Sequence, residues 1–387
     1  MIAYVFPGQG SQFKGMGEGL FNAFPQLTTA AGSILGYDVA DLCLNNPGNR
    51  LNQTQYTQPA LYVVNALSYF DKIKQTGRRP DAAAGHSLGE YSALMAAGVF
   101  DFETGLKLVM KRGELMGGVT RGCMAAVIGL TIESLEALLS ENNLHGVDIA
   151  NYNTPSQFVI SGLRRQVLSA EEFVKASGGI FMPLKVSGAF HSRYMEEVRA
   201  RFRQHMERGT FLAPDFPVIS NVNAKPHKPK SLVDTLAAHL CEPVQWIDSI
   251  RHLDRSPGME IKEIGPGRVL TKLIAKIRQA YGTPPAEAGI KQGRVTGKTE
   301  LASGNTTSGG AISPESLGDP SFKKDYRLKY AYLTGAMFRG IASRELVIKI
   351  GKAGLMGFLE PVAFRWIGWK RIFGTYKAHW AKPILLV

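Results

Sequence analysis

Residues 81–97, DAAAGHSLGEYSALMAA, decide the fold. Ala82–Ala84 reads as a short strand of small residues, Gly85-His86-Ser87-Leu88-Gly89 as a sharp turn, and Glu90 to Ala97 as a helix. The turn has the G-x-S-x-G form of a nucleophile elbow, in which a strained strand-to-helix turn holds a serine oxygen clear of the backbone. A helix start presents free N–H groups, and the N–H of Leu88 is placed to receive a developing oxyanion. A bare five-residue pattern of this kind also occurs in ordinary Gly/Ser turns. Its place between a strand and a helix makes it specific.

Outward from the elbow, short apolar runs alternate with helical patterns as far as about Ala280, the signature of an α/β fold. Ile2–Phe6 is a strand running into Pro7-Gly8-Gln9-Gly10, and Gln58–Lys74 is a helix with Leu61, Val64, Leu67 and Phe70 on one face. A second unit is nested inside. Strand patterns at 124–130, 147–151, 157–161 and 180–186 alternate with helical patterns at 132–142 and 167–177, and Asn153-Thr154-Pro155 makes a turn. That βαββαβ order is ferredoxin-like. The expected architecture is a large α/β-hydrolase-like domain (1–123 and 188–280) with a small ferredoxin-like subdomain (124–187) inserted. The cleft between the two is the natural ligand site.

The composition narrows the class. At 387 residues the chain holds material for two or three domains of about 100–200 residues. With 44% hydrophobic and 20% charged residues, wholesale disorder is excluded. There is no apolar run of about 18 residues and no leader-like start, so neither a membrane span nor a signal peptide is expected. Three scattered cysteines, Cys43, Cys123 and Cys241, form no CxxC pair. That argues against a disulfide framework or a metal site and for a reducing cytoplasm. The formal charge of +13 is uneven. Residues 281–387 hold 16 Lys and Arg against 7 Asp and Glu, whereas the first 280 hold 29 against 25. No nucleic-acid partner is expected of so balanced a front domain.

A serine nucleophile needs a base. His86 adjoins Ser87 and points elsewhere on a sharp turn, so a structural role is expected. His145, His205, His227, His239, His252 and His379 lie in polar or helical surroundings, where a solvated or capping histidine is the default. His191 stands apart. It follows Gly188-Ala189-Phe190 where the chain returns from the insert, at the cleft.

Eight motifs in order carry a resemblance: FPGQGSQ (6–12), TQPA (57–60), GHSLGE (85–90), KRGELM (111–116), NYNTP (151–155), GAFH (188–191), PVQW (243–246) and GPG (265–267). With them the first 280 residues resemble the malonyl-CoA:acyl carrier protein transacylase family, in particular the acyltransferases that serve polyketide synthases in trans. The resemblance implies Ser87 as nucleophile and His191 as general base and later acid. It implies the N–H groups of Gln9 and Leu88 as oxyanion hole, and a main-chain carbonyl near Gln245, in place of a carboxylate, to steady the histidine. Arg112 matches the arginine that grips the malonyl carboxylate with two prongs, a geometry lysine lacks. Gln58 and Asn153 are expected to line the same cleft. Phe190 matches malonyl-type members and disfavours a methyl branch by about 1–3 kcal/mol. The implied reaction is ping-pong, without cofactor or metal. Malonyl-CoA is the donor and a phosphopantetheine thiol of an acyl carrier protein the acceptor, served by a monomer. An editing acyl hydrolase shares elbow and base but tends to lack the arginine, and a non-catalytic docking module has no need of all three residues.

After residue 280 the texture changes. Residues 281–319 read as a flexible Gly/Ser/Thr/Pro linker, and 321–338 and 341–356 as helices. Residues 316–358 resemble the opening of flavin-dependent enoyl reductases fused behind some of these acyltransferases. Such a barrel takes about 250 residues and about 70 remain, so a truncated remnant with no flavin and no reductase activity is expected. Residues 361–387 contain no acid and carry Trp366, Trp369 and Trp380. Codons for EPVAFRWIGWKRIF (360–373) can be chosen so that a shifted frame reads GTGGLSLDRLEEDI, the Gly-rich type of segment that follows GKAGLMGF in those reductases. A frameshifted fusion is the expectation; a basic aromatic tail that docks a partner or a membrane surface is the alternative.

Overall fold

In chain order the structure runs β1 (Ile2–Phe6), α1 (Leu20–Ala23), α2 (Pro25–Leu35), α3 (Val39–Asn45), α4 (Thr54–Thr76), β2 (Ala82–Gly85), α5 (Gly89–Ala96) and α6 (Phe102–Gly117). It continues with β3 (Gly122–Ile128), α7 (Ile132–Glu141), β4 (Val147–Thr154), β5 (Gln157–Leu163), α8 (Arg164–Ala176) and β6 (Ile180–Pro183). The remainder is α9 (Glu196–Met206), β7 (Val218–Ile219), α10 (Leu232–Ala238), α11 (Trp246–Leu253), β8 (Glu260–Glu263) and α12 (Val269–Tyr281). This is a computed structural model, which describes residues 1–282 and two further strands, β9 (Leu333–Thr334) and β10 (Met356–Gly357). The chain divides into two compact units, Met1–Gly293 and Arg294–Val387.

One four-stranded sheet of the first unit is wholly parallel, in the order β7-β2-β1-β8. A strand's side chains alternate between faces. Tyr4, Phe6 and Ala83 accordingly enter a core built on α4, α5 and α6, while Ala3, Val5, Ala82 and Ala84 pack on the other face with Trp246, Ile250 and Ile274. Both faces are covered, which is why β1 and β2 are continuously apolar or small. The β1–β2 register pairs Phe6 with Gly85, so the loop after β1 and the elbow after β2 leave the same sheet edge side by side.

The second sheet is antiparallel, β4-β5-β3-β6, with α7 and α8 packed through Leu135, Leu138, Val167, Ala170 and Val174. Its β4 is tied to the chain before α11, where Tyr152 N–H donates to Val244 at 3.0 Å and Val244 N–H to Ala150 at 2.8 Å. The βαββαβ order read from the sequence is present, with three shifts. The β4–β5 turn holds only Pro155 and Ser156, because Thr154 already pairs with Gln157. β6 stops at Pro183, whose ring removes a ladder donor, so His191 lies in a turn well beyond the strand. α4 is buried on every side from Thr57 to Leu67, not along one stripe, since it runs through the middle of the core.

In the second unit, β9 and β10 pair in parallel, Leu333 beside Met356 and Thr334 beside Gly357. Residues 333–334 are thus strand where the sequence reads as helix, consistent with a β-branched Thr334 followed by Gly335. Otherwise the expected linker, remnant and aromatic tail lie outside the described residues. Among the described residues, no helix is long and apolar enough to cross a membrane.

Candidate active site

Ser87 sits at φ +50°, a left-handed conformation that costs a non-glycine residue free energy and holds its hydroxyl clear of the chain. Close packing enforces the strain. A Cβ on Gly85 would lie 1.9 Å from the Gly89 carbonyl carbon, one on Gly89 would lie 2.0 Å from Phe6 O, and one on Gly8 would lie 2.2 Å from His86 O. Only glycine fits at all three positions. Asn221, just after β7, pins the turn from outside: its Oδ1 accepts the Ser87 N–H at 2.8 Å and its Nδ2 donates to Gly85 O at 2.6 Å.

Opposite the elbow, His191 sits at φ +57° and places Nε2 2.8 Å from Ser87 Oγ. Burial, with His239 and Arg112 nearby, holds its imidazole well below the ordinary histidine value, so the ring is neutral and ready to take a proton. Its Nδ1 donates to a main-chain carbonyl at 2.7 Å, and that carbonyl is His239's. The expected carbonyl near Gln245 is engaged elsewhere. Gln245 O accepts the backbone N–H of Ser249 at 2.9 Å and its hydroxyl at 2.7 Å, closing the first turn of α11.

Arg112, on α6, is 1% exposed. Its Nη1 donates to Gln58 Oε1 at 2.8 Å and its Nη2 reaches Ser87 Oγ at 3.3 Å. The Gln58 amide is itself oriented by a 3.3 Å contact to Met116 Sδ. Gln9 lies in the loop after β1, its side chain on Thr54 Oγ1 at 3.3 Å. A Cβ on Gly8 would stand 3.4 Å from Leu88 N, so this loop lies against the start of α5. Neither the Gln9 nor the Leu88 N–H has an acceptor among the described residues.

One expected site residue is engaged by another side chain, and a second packs into the core. Asn153 Oδ1 lies 2.8 Å from His86 Nε2 and holds that half-buried ring, which also meets Trp246 edge-on at 5.3 Å. Phe190 is buried in the main core, and a Cβ on Gly188 would run into its ring at 2.4 Å. His227 and His239 depart from the solvated default. Both are buried around Glu90, whose Oε1 lies 2.7 Å from His227 Nε2 and whose Oε2 lies 2.7 Å from His239 Nδ1. The signal was present in the sequence: Glu90 opens a helix that is otherwise apolar or small and buried at every position, and a carboxylate there needs partners. A cleft of about 640 Å³ has His191 in its wall, together with Arg193, Arg199, Tyr152, His145 and Cys241.

A strained serine, a neutral histidine, N–H groups without acceptors among the described residues and a buried guanidinium thus meet at one place. Residues 3–299 match the acyl transferase domain family, and the chain belongs to that family. It is 53% identical over 281 residues to PksC of Bacillus subtilis, a polyketide biosynthesis malonyl CoA-acyl carrier protein transacylase, covering 72% of this chain and 98% of that protein. It is 51% identical over 368 residues to the polyketide biosynthesis protein PksE of the same organism, covering 92% of this chain. The chain spans only 46% of PksE's length. Among solved structures, a malonyl CoA-acyl carrier protein transacylase from Burkholderia pseudomallei superposes with a TM-score of 0.71 at 46% identity, covering 72% of this chain and 98% of that one. A malonyl-transacylase solved with its type II polyketide synthase acyl carrier protein gives 0.68 at 38% identity, over 72% and 93% of the two chains.

Proposed function

We propose that the chain moves a malonyl group from malonyl-CoA to the phosphopantetheine thiol of an acyl carrier protein, supplying polyketide (or fatty acid) synthesis in trans. One observation carries the reading: the buried Arg112 guanidinium, held by Gln58, stands 3.3 Å from the nucleophile oxygen. A carboxylated acyl group pairs with it, whereas an acetyl or longer alkanoyl group leaves the buried charge unpaired, at a cost of about 2–5 kcal/mol. Ser87 Oγ bonds to the thioester carbonyl carbon while its proton passes to His191 Nε2. The oxyanion forms against the N–H groups of Gln9 and Leu88. As the C–S bond breaks, His191 returns the proton to the departing CoA sulfur. The carrier's thiol then repeats the sequence in reverse, and no cofactor is needed. Asn153 acts through His86, and Phe190 as a wall of the acyl site.

In the same reading, residues 1–123 and 188–280 form an α/β-hydrolase-like domain, supported by the parallel sheet and the elbow. Residues 124–187 form a ferredoxin-like subdomain, supported by the β4-β5-β3-β6 order. Free Cys43, Cys123 and Cys241 fit a reducing cytoplasm, and we read the chain as a monomer. Intact-protein mass spectrometry after brief mixing with malonyl-, methylmalonyl- or acetyl-CoA, then holo carrier protein, tests the function. The expected result is a malonyl adduct that is absent in Ser87→Ala and moves to the carrier. Equal acetyl loading, or adducts lost to water faster than to the carrier, would favour the editing hydrolase.

A further inference from the structure

Among the described residues, the buried ionisable groups around Ser87 and His191 are Arg112, Tyr91, His191, His227 and His239, with His86 half-buried beside them, and a single acid, Glu90. We propose that Glu90 is a positioning residue of the transfer reaction: the buried counter-charge of the site, acting on His191 through His239 and on Ser87 through Asn221. The inference rests on the acyltransfer reading above.

Its geometry makes Glu90 a hub. Oε1 accepts the backbone N–H of Asn221 at 3.1 Å, and the Asn221 side chain in turn holds the Ser87 N–H at 2.8 Å. Oε2 lies 2.7 Å from His239 Nδ1. The His239 ring stacks on His191, centroids 4.8 Å apart and tilted by 33°, and its carbonyl accepts the His191 Nδ1–H. One carboxylate therefore supports both members of the catalytic pair, each from one residue away. Glu90 is held far below the ordinary carboxylate range; burial opposes its charge, but His239 and His227 outweigh that. It stays ionised, and helps keep the desolvated Arg112 charged.

The chemistry needs such a charge. When Ser87 gives its proton to His191, an imidazolium forms in a water-poor site where its neighbours are Arg112, His86 and His239, and its direct hydrogen-bond partner is a neutral carbonyl. Without Glu90 the site carries only positive or neutral side chains, and that imidazolium is harder to form. The incoming malonyl carboxylate, by contrast, gains from the missing negative charge. Loss of Glu90's charge should therefore slow the chemical step without weakening substrate binding.

The test is the rate of malonyl-enzyme formation from malonyl-CoA between pH 5 and 9, in wild type, Glu90→Gln, Glu90→Asp and His239→Gln, with thermal unfolding of each. Glu90→Gln keeps the shape and an acceptor for Asn221 but not the charge. It should acylate at least about ten-fold more slowly with KM not raised, and the acid limb of its pH profile should move down. Glu90→Asp should recover part of that rate. His239→Gln keeps the backbone carbonyl but removes an imidazole that depresses His191, so its acid limb should move up. Opposite displacements of the two profiles are the signature. A Glu90→Gln enzyme with wild-type rate and profile overturns the proposal, as do Gln and Asp variants equally slow on an unmoved profile. Should Glu90→Gln not fold, an unmoved His239→Gln profile overturns it. A wild-type protein that forms no malonyl adduct removes the acyltransfer reading itself, a result distinct from all of these.

Discussion

Arg112 Nη2 stands 3.3 Å from Ser87 Oγ, while Nη1 of the same guanidinium is fixed by Gln58 at 2.8 Å. In the proposed reaction, the cation that selects the substrate is thus set against the atom that attacks it. Burial lowers its pKa, though Tyr91 and Glu90 act the other way. An acyl group bearing a carboxylate satisfies this cation only when its thioester carbon is close to Ser87. Arg112→Ala should cut kcat/KM for malonyl-CoA by about 2–5 kcal/mol, some 30-fold to several thousand-fold, while acetyl-CoA loading rises relative to malonyl. Arg112→Lys should stay impaired, because an ammonium cannot hold Gln58 and a carboxylate in one plane. Competition between labelled malonyl- and acetyl-CoA reads the ratio directly. An unchanged ratio in Arg112→Ala would remove the selectivity argument.

The depressed basicity of His191 sets the pH dependence of the first step. The base works in its neutral form, and its pKa lies below the ordinary value of 6.5 because burial, His239 and Arg112 disfavour the cation. Acylation of Ser87 should therefore hold level from neutral pH down past 6.5 and fall only further into acid. Pre-steady-state CoA release across pH 4.5–8 measures this, and a midpoint at or above 6.5 would contradict the assignment.

His86 gives a stability effect with a definite sign. Burial, against the Asn153 hydrogen bond, pushes its pKa down to about 4 from the unfolded value of 6.5. Between those two values the unfolded chain binds a proton that the folded protein refuses, so stability falls as pH drops from 6.5 to 4 and is unaffected above 6.5. This residue alone accounts for about 3 kcal/mol at the acid end of the window. In urea unfolding at pH 7, 5.5 and 4.5, His86→Gln keeps a partner for Asn153 and should show a shallower loss than wild type. Parallel curves would count against it.

How much of this was legible in the sequence follows from how far each signal reaches along the chain. The elbow is local: strand, turn and helix lie within 81–97, so Ser87 and Leu88 are readable from spacing alone. The βαββαβ order is readable because hydrophobic period changes with each element. The Gln245 expectation failed because a carbonyl acceptor leaves no side-chain signature. Any residue from 239 to 245 would read alike, and the choice of His239 depends on how the chain after α10 passes beneath His191. Asn221 and the two histidines around Glu90 were hidden for another reason. Their partner lies 131 to 149 positions away in sequence, and only the β7–β2 pairing brings them together. Asn153, expected to line the cleft with Gln58, has its side chain taken up by His86, a partner that spacing does not show.

Gly8 offers the sharpest test of the oxyanion loop. It precedes Gln9, and its Cα sits so close to the elbow that a Cβ would lie 2.2 Å from His86 O and 3.4 Å from Leu88 N. Those atoms are backbone and cannot swing aside, so Gly8→Ala must push the loop after β1 away from the start of α5. The Gln9 N–H then loses its aim at the position where charge develops on the thioester oxygen, while Arg112 and Gln58, on α6 and α4, keep their grip on the carboxylate. Removing one oxyanion donor typically costs about 100- to 1,000-fold in kcat. Gly8→Ala should show a loss of that order in malonyl-enzyme formation with KM for malonyl-CoA changed much less. Single-turnover acylation, together with the far-UV spectrum to establish that the sheet is intact, measures both. A folded Gly8→Ala protein that acylates at the wild-type rate would show that the loop carries no part of the transition-state charge.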